Sequence, residues 1–273
     1  MSFDLITFGC SWTKGCGVGY EKGMNLREYD NVVSNKEICD KHSFRGVLSK
    51  RWGCDNINYG CTGSSNMRQF RHALEHFKSK PKRKTIVLWA ITSIFRHEVW
   101  CNKRMKKKIP QGKGYSNILY GHAHNLFTPI SIKQDPFWKN AHVDVNEHLE
   151  YHFDVDNEIQ VLCNQMDHWN LFFESIGVEN YWMDTFNHHD YPRKISRMLF
   201  NDKPKRDLLS MLVNNYSDDT YHKSQYDPKD SERIYEAKEI GLVNPFSLHP
   251  TKEAHVMIAN FIDEEINLIN NIR

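Results

Sequence analysis

Thr85-Ile86-Val87-Leu88-Trp89-Ala90-Ile91 is the stretch that decides the fold. A strand with one wet face alternates apolar and polar residues, whereas a strand covered on both faces is apolar nearly throughout. This run is of the second kind. It predicts the central strand of a sheet with helices on both sides.

Three weaker strands flank it in the chain. Leu5-Ile6-Thr7-Phe8 ends at Gly9, Asn56-Ile57-Asn58-Tyr59 ends at Gly60, and Tyr181-Trp182-Met183 forms a fourth. Helices fall between them. Ser43 is placed to cap one through Trp52, and Ser64 or Ser65 to cap a second, with Met67, Phe70, Leu74 and Phe77 as its apolar face. Ile159, Leu162, Met166, Trp169, Phe173 and Ile176 recur at helical spacing, and Gly177 stops them. A last helix follows Pro250, with Ala254, Ile258, Phe261, Ile262, Ile266 and Ile269 on one side. Alternating strands and helices predict an α/β fold, a three-layer α/β/α sandwich around a parallel sheet. Residues 1–273 read as one domain with two irregular insertions, about 101–157 and about 204–239. The first is rich in His and Lys and looks like a lid.

Composition narrows the class. The chain has 36 Lys and Arg against 34 Asp and Glu, a net charge of +2, and 40% hydrophobic residues. That excludes a disordered chain. No apolar run reaches the roughly 18–20 residues of a membrane helix. The start reads directly as a strand, with no leader, so a cytoplasmic location is expected. The 7 cysteines are odd in number and form no CxxC pair, so neither a disulfide framework nor a zinc knuckle is expected. The charge balance argues against a nucleic-acid partner. The basic runs Lys78 to Lys84 and Lys103 to Lys108 are the local exceptions, the latter near Tyr115, Phe127 and Trp138, aromatics able to stack on a ligand or to pack the insertion.

In parallel sheets, ligands sit beyond the carboxyl ends of the strands. Three short blocks lie there. In Phe8-Gly9-Cys10-Ser11-Trp12-Thr13, Ser11 stands just past a strand, placed either as a nucleophile or as a cap. In Asn58-Tyr59-Gly60-Cys61-Thr62-Gly63-Ser64-Ser65, the Gly63 N–H lies near a helix start, suited to an oxyanion or to plain turn chemistry. In Trp89-Ala90-Ile91-Thr92-Ser93-Ile94-Phe95-Arg96, Thr92 and Ser93 offer hydroxyls, and Arg96 either binds an anion or pairs with Glu98. A fourth block, Ser247-Leu248-His249-Pro250, fixes an imidazole before a helix, as a general base requires. His255, six residues on, reads as packing or solvent-facing.

The ordered set resembles the SGNH (GDSL-type) hydrolase family over about residues 3–96 and 240–270. The Gly-Cys-Ser-Trp-Thr form of the first block looks like a divergent branch met in viral and environmental sequences. The resemblance implies a flavodoxin-like SGNH fold and serine ester hydrolysis without cofactor or metal. It makes Ser11 the nucleophile, His249 the base, and the N–H groups of Ser11 and Gly63 oxyanion donors. Thr92 falls nearest the family's third donor, an Asn this chain lacks. Phe246 stands where the family carries the acid, three residues before the His. Asp184, at the end of the fourth strand, is the first candidate to replace it; a backbone carbonyl is the alternative. The expected substrate is a small-molecule or carbohydrate-linked acyl ester, making the protein an esterase or O-deacetylase, with acyl transfer as a variant. The rival reading is a binding or structural protein that keeps the fold without turnover. His142, Asp144, His148 and His152, and His188-His189-Asp190, read as chance clusters in a chain with 15 His.

Overall fold

A computed structural model describes residues 3–33, 35–94, 96–100, 115–123, 126–129, 154–186, 189, 191–200, 207–213 and 232–272. The strands are β1 (Asp4–Phe8), β2 (Asp55–Asn58), β3 (Thr85–Ile91), β4 (Arg96–Trp100), β5 (Tyr115–Ala123), β6 (Leu126–Pro129) and β7 (Glu179–Asp184). The helices are α1 (Ser11–Lys14), α2 (Leu26–Val32), α3 (Lys36–His42), α4 (Phe44–Trp52), α5 (Asn66–His76), α6 (Val155–Ile176), α7 (Leu208–Met211), α8 (Glu232–Glu239) and α9 (Lys252–Ile272).

Strands β1, β2, β3 and β7 form an all-parallel sheet in the order β2-β1-β3-β7. Counted along the sheet's own strands this is 2-1-3-4, the start of the flavodoxin-like order. Side chains alternate across it. Leu5, Ile86, Leu88, Ala90, Tyr181 and Met183 face α4 and α9, where Phe44, Leu48, Ala254, Ile258 and Ile262 complete one core. Ile6, Phe8, Val87, Trp89, Ile91 and Trp182 face α5 and α6, against Phe70, Ala73, Leu162, Met166 and Phe173. β3 is buried at every position, as its composition predicts. On the second face, Phe8, Trp89 and Trp182 lie in register on three adjacent strands. Their rings stack at 4.4 and 4.8 Å, and each such side chain stabilises the sheet by about 1.5–3 kcal/mol through burial.

Several expectations are corrected. Of the predicted face of α5, Phe70 and Phe77 are buried, while Met67 and Leu74 are exposed and Asn66, Gln69 and Ala73 are buried beside Phe70. Two buried amides displace the apolar residues because they serve the end of β3: Gln69 Nε2 donates to the Ala90 carbonyl at 3.3 Å. The region about 101–157 is not irregular throughout, since β4, β5 and β6 pair as a three-stranded antiparallel sheet. Nor is 204–239: α7 and α8 send Leu208, Leu209, Ile234 and Ala237 into the first core. A buried pair, Arg233 Nη1 to Asp207 Oδ2 at 2.9 Å, joins them.

The basic residues Lys78, Arg83 and Lys84 pair with Glu75, with Asp4 and Asp55, and with Glu179. The second basic run, the side chains of Tyr115 and Phe127, Trp138, the His142–His152 cluster, His188 and Asp190 lie outside the described residues. Among the described residues no three His, Cys, Asp or Glu gather as a metal site, and no helix is long and apolar enough to cross a membrane. Six cysteines, Cys10, Cys16, Cys39, Cys54, Cys61 and Cys163, are free thiols.

Ser43 occupies the cap position of α4, yet its hydroxyl makes no capping bond. The orphan Phe44 N–H donates instead to His255 Nδ1 at 3.2 Å. His255 neither faces solvent nor merely packs: it is fully buried and caps a neighbouring helix. Burial, with Arg45 and His249 nearby, pushes its pKa down from 6.5 to about 3. The unfolded chain therefore binds a proton on this ring across a window in which the folded protein does not. Stability rises with pH there, by up to about 1.4 kcal/mol per unit. His255→Gln keeps an acceptor and removes the titration. In chemical denaturation at pH 4 and pH 7, the variant is expected to lose markedly less stability on acidification than the wild type.

Candidate active site

The parallel strands end at one rim, and short loops leave it. After β1, Gly9 and Cys10 lead into the single turn of α1, with Ser11 first. Cys10 is fully buried in the core, so it is not a competing nucleophile. Ser11 is 5% exposed, and its hydroxyl has no hydrogen-bond partner among the described residues. Its carbonyl is occupied: the N–H groups of Gly15 and Cys16 donate to it at 3.1 and 3.0 Å. The end of α1 is held from below by Arg45, which donates to the carbonyls of Thr13 and Lys14 at 3.0 and 3.1 Å and to Asp40 Oδ1 at 2.7 Å. A buried cation at a helix C-terminus meets the carbonyls left without partners.

The turn after β2 lies against this segment. The Cys61 N–H donates to the Gly9 carbonyl at 3.1 Å, and Cys16 Sγ sits 3.6 Å from Thr62 Oγ1. Gly60 permits the approach: a Cβ there would stand 2.7 Å from the Lys14 nitrogen. Gly63 is exposed, with φ of +66°, and its N–H makes none of the hydrogen bonds among the described residues.

Beyond β3, Asn66 clamps the backbone of Thr92. Its Oδ1 accepts from the Thr92 N–H and its Nδ2 donates to the Thr92 carbonyl, both at 2.9 Å. The Thr92 hydroxyl is buried without a partner among the described residues. Ser93 is also buried, and its carbonyl accepts from the Arg96 N–H at 3.2 Å. The Arg96 guanidinium lies over Phe186 at 5.2 Å, with Nε and Nη1 unbonded, and Phe186 meets Trp12 edge-on at 5.1 Å. The side chain of Glu98, the alternative partner of Arg96, lies outside the described residues.

His249 closes the group. Its loop is built around the buried amide of Asn244. Asn244 Oδ1 accepts from the N–H groups of Phe246 and Ser247 at 3.2 and 2.8 Å, and Nδ2 donates to the His249 carbonyl at 2.9 Å. The Asn244 N–H donates to the same carbonyl at 2.9 Å. Leu248 turns the chain with φ of +56°, a left-handed conformation that costs a leucine about 1 kcal/mol or more. The turn brings His249 Nδ1 to 2.6 Å from Ser247 Oγ. Gly17, at φ of +112°, packs on this loop: a Cβ there would stand 2.8 Å from His249 Cβ and collide with the Pro250 carbonyl.

Ser11, the Gly63 turn and His249 thus border one segment, residues 9–17. The Ser11 and His249 side chains do not hydrogen-bond to each other. Asp184 is engaged elsewhere. Its Oδ2 accepts from the His189 N–H at 3.1 Å and its Oδ1 from the Tyr191 hydroxyl at 2.8 Å. The Nδ1 contact expected of Asp184 is made by Ser247. Phe246 packs on Tyr20 and Tyr29 with ring centroids 5.9 and 5.7 Å away. Sequence reasoning missed Asn66, Asn244, Ser247 and Tyr29. The Asn244-Pro245 dipeptide, a turn signal, was the available clue.

No family model matches the sequence. No curated protein matches it either. Among solved structures, the chain is similar to the psychrotrophic esterase EstA from Pseudoalteromonas sp., inhibited by monoethylphosphonate, at 10% identity and TM-score 0.39, covering 98% of each chain. It is similar to a member of the lipolytic G-D-S-L family from Veillonella parvula at 12% identity and TM-score 0.36, covering 96% of this chain and 97% of that one. A GDSL-like lipase from Parabacteroides merdae gives 11% identity and TM-score 0.38, with 98% and 96% covered.

The glycine contact makes a direct prediction. Gly17→Ala forces the His249 loop to shift and strains a left-handed backbone, and is expected to cost about 1–3 kcal/mol. Thermal denaturation reads the loss; an unchanged Tm would mean that the loop does not pack on residue 17.

Proposed function

We propose that the protein is a serine esterase or O-deacetylase of the SGNH type, with Ser11 as nucleophile and His249 as general base. One observation carries the reading. The segment held on the Ser11 carbonyl is the segment against which the His249 loop packs, which supports an alcohol and an imidazole acting at the strand-end rim. The Ser11 hydroxyl and the Gly63 N–H, which have no hydrogen-bond partner among the described residues, support it further.

In this reading His249 Nε2 takes the proton of Ser11 as Oγ attacks the acyl carbonyl. The carbonyl π electrons move to oxygen. In this reading the N–H groups of Ser11 and Gly63, and the Thr92 hydroxyl as third donor, receive that oxyanion. His249 then returns the proton to the departing alcohol, leaving an acyl-serine. Water, deprotonated by the same nitrogen, attacks the acyl-serine, and Ser11 leaves as the alcohol with the carboxylic acid released. Ser93 and Arg96 extend the rim, where Arg96 can meet an anionic substrate group. Every step uses side chains and backbone N–H groups of this protein together with water. The substrate class is a short acyl ester on a small molecule or a carbohydrate.

A fluorophosphonate probe and a short-chain aryl ester test this. Labelling at Ser11 is expected, and Ser11→Ala and His249→Ala should each lower hydrolysis by about 10³-fold or more. Hydrolysis that survives Ser11→Ala would overturn the assignment. Absence of labelling and of turnover across a panel of acyl esters would favour a binding protein on the same fold.

A further inference from the structure

The loop that carries His249 contains a hydroxyl with three polar neighbours and only one proton to give. Ser247 Oγ lies 2.6 Å from His249 Nδ1, 2.7 Å from the Tyr29 hydroxyl and 3.0 Å from Asn244 Oδ1. A serine hydroxyl donates once and accepts twice. The direction of each bond can therefore be assigned.

Asn244 fixes the starting point. Its Oδ1 faces two backbone N–H donors, those of Phe246 and Ser247, and its Nδ2 faces the His249 carbonyl. A flipped amide would set donor against donor and acceptor against no proton, so the orientation is determined by the backbone. Oδ1 can only accept, and the 3.0 Å contact from Ser247 Oγ is a hydrogen bond only with the serine proton on that side, which assigns it there. Ser247 Oγ must then accept from both remaining neighbours. Tyr29 is buried, and burial pushes its phenol pKa up, so it keeps its proton and donates. The Tyr29 oxygen in turn accepts from Asn244 Nδ2 at 3.3 Å. His249 must likewise donate, from Nδ1. In the opposite arrangement, with Ser247 donating to Nδ1, the 3.0 Å contact between Ser247 Oγ and Asn244 Oδ1 would hold no proton and set two oxygens against each other in a part-buried cluster.

We infer that Ser247, backed by Asn244 and Tyr29, is the positioning residue that holds His249 in the Nδ1–H tautomer. Nε2 is then left with its lone pair, the form a general base needs. The group that usually does this in a serine triad is a carboxylate. Here an uncharged hydroxyl does it, two residues of the loop, Asn244 and Ser247, and one tyrosine supplying the fixed geometry. The catalytic consequence rests on the esterase reading above; the tautomer does not.

The test is nitrogen NMR of the full-length protein labelled at histidine, with the His249 signals assigned by His249→Gln. At a pH where the ring is neutral, the proton is expected on Nδ1 and the unprotonated, pyridine-type shift on Nε2. Ser247→Ala should abolish that preference, Ser247→Thr should restore it, and Tyr29→Phe should leave it in place, because Ser247 still donates to Asn244. A wild-type proton on Nε2, or an Nδ1 proton that persists in Ser247→Ala, would overturn the inference. Ester hydrolysis by the same variants separates the two claims. Ser247→Ala is expected to lower kcat about 10–100-fold with KM within about twofold, and Ser247→Thr to recover most of it. The predicted tautomer in a protein that hydrolyses no ester would leave the positioning role standing and remove the esterase.

Discussion

No side chain fits between residue 17 and the backbone of His249–Pro250, and the site depends on that close approach. Segments from the two ends of the fold can meet at the rim only because Gly17 lacks a Cβ and takes a left-handed conformation. The contact is made by backbone and is therefore stiff. The same segment is tied to Ser11 through the Cys16 N–H, to the 60–63 turn through Gly9 and Cys16, and to α4 through Arg45. Each tie uses a group that would otherwise be a buried orphan, so geometry at the rim is maintained by polar satisfaction more than by apolar packing.

The loop at 244–249 follows the same logic. Asn244 is fully buried, and both its side-chain heteroatoms are bonded, so the strained backbone of Leu248 is compensated by five hydrogen bonds from one amide. Strain of this kind persists where the surroundings over-determine it and tends to mark functional segments. The strained residue sits between Ser247 and His249, and its left-handed turn is what lets two side chains so near in sequence face each other. A network without formal charge avoids the desolvation cost of a buried carboxylate and gives up the charge stabilisation such a group offers an imidazolium. On this account the protein trades catalytic force for a simply built base.

The sheet was legible because apolar runs report burial on both faces, and β3 was read to the residue. The faces of α6 and α9 were legible for the same reason, with Ile159, Leu162, Met166 and Phe173, and Ala254, Ile258, Ile262 and Ile266, buried where helical spacing put them. Reading failed where polar groups are buried. Asn66 and Gln69 shifted the face of α5, His255 took a capping role that Ser43 advertised, and the buried Asp207–Arg233 pair lies in a core-forming segment whose many charged residues read as a loop. In the site, Ser11, Gly63 and His249 stood out as ordered blocks. Ser247, Asn244 and Tyr29 did not, because their partnership is set by a turn and by a contact across 215 to 218 positions that no local pattern encodes.

The central claim is that Ser11 and His249 act as one unit at the strand-end rim. The measurement that reaches it most directly is a crystal structure of the protein after reaction with a small organophosphonate. The account predicts a phosphonyl group on Ser11 Oγ, its oxygen within about 3 Å of the Ser11 and Gly63 N–H groups, and His249 Nε2 within hydrogen-bond reach of the adduct. An unmodified Ser11, or an adduct whose oxygens the imidazole does not approach, would contradict it.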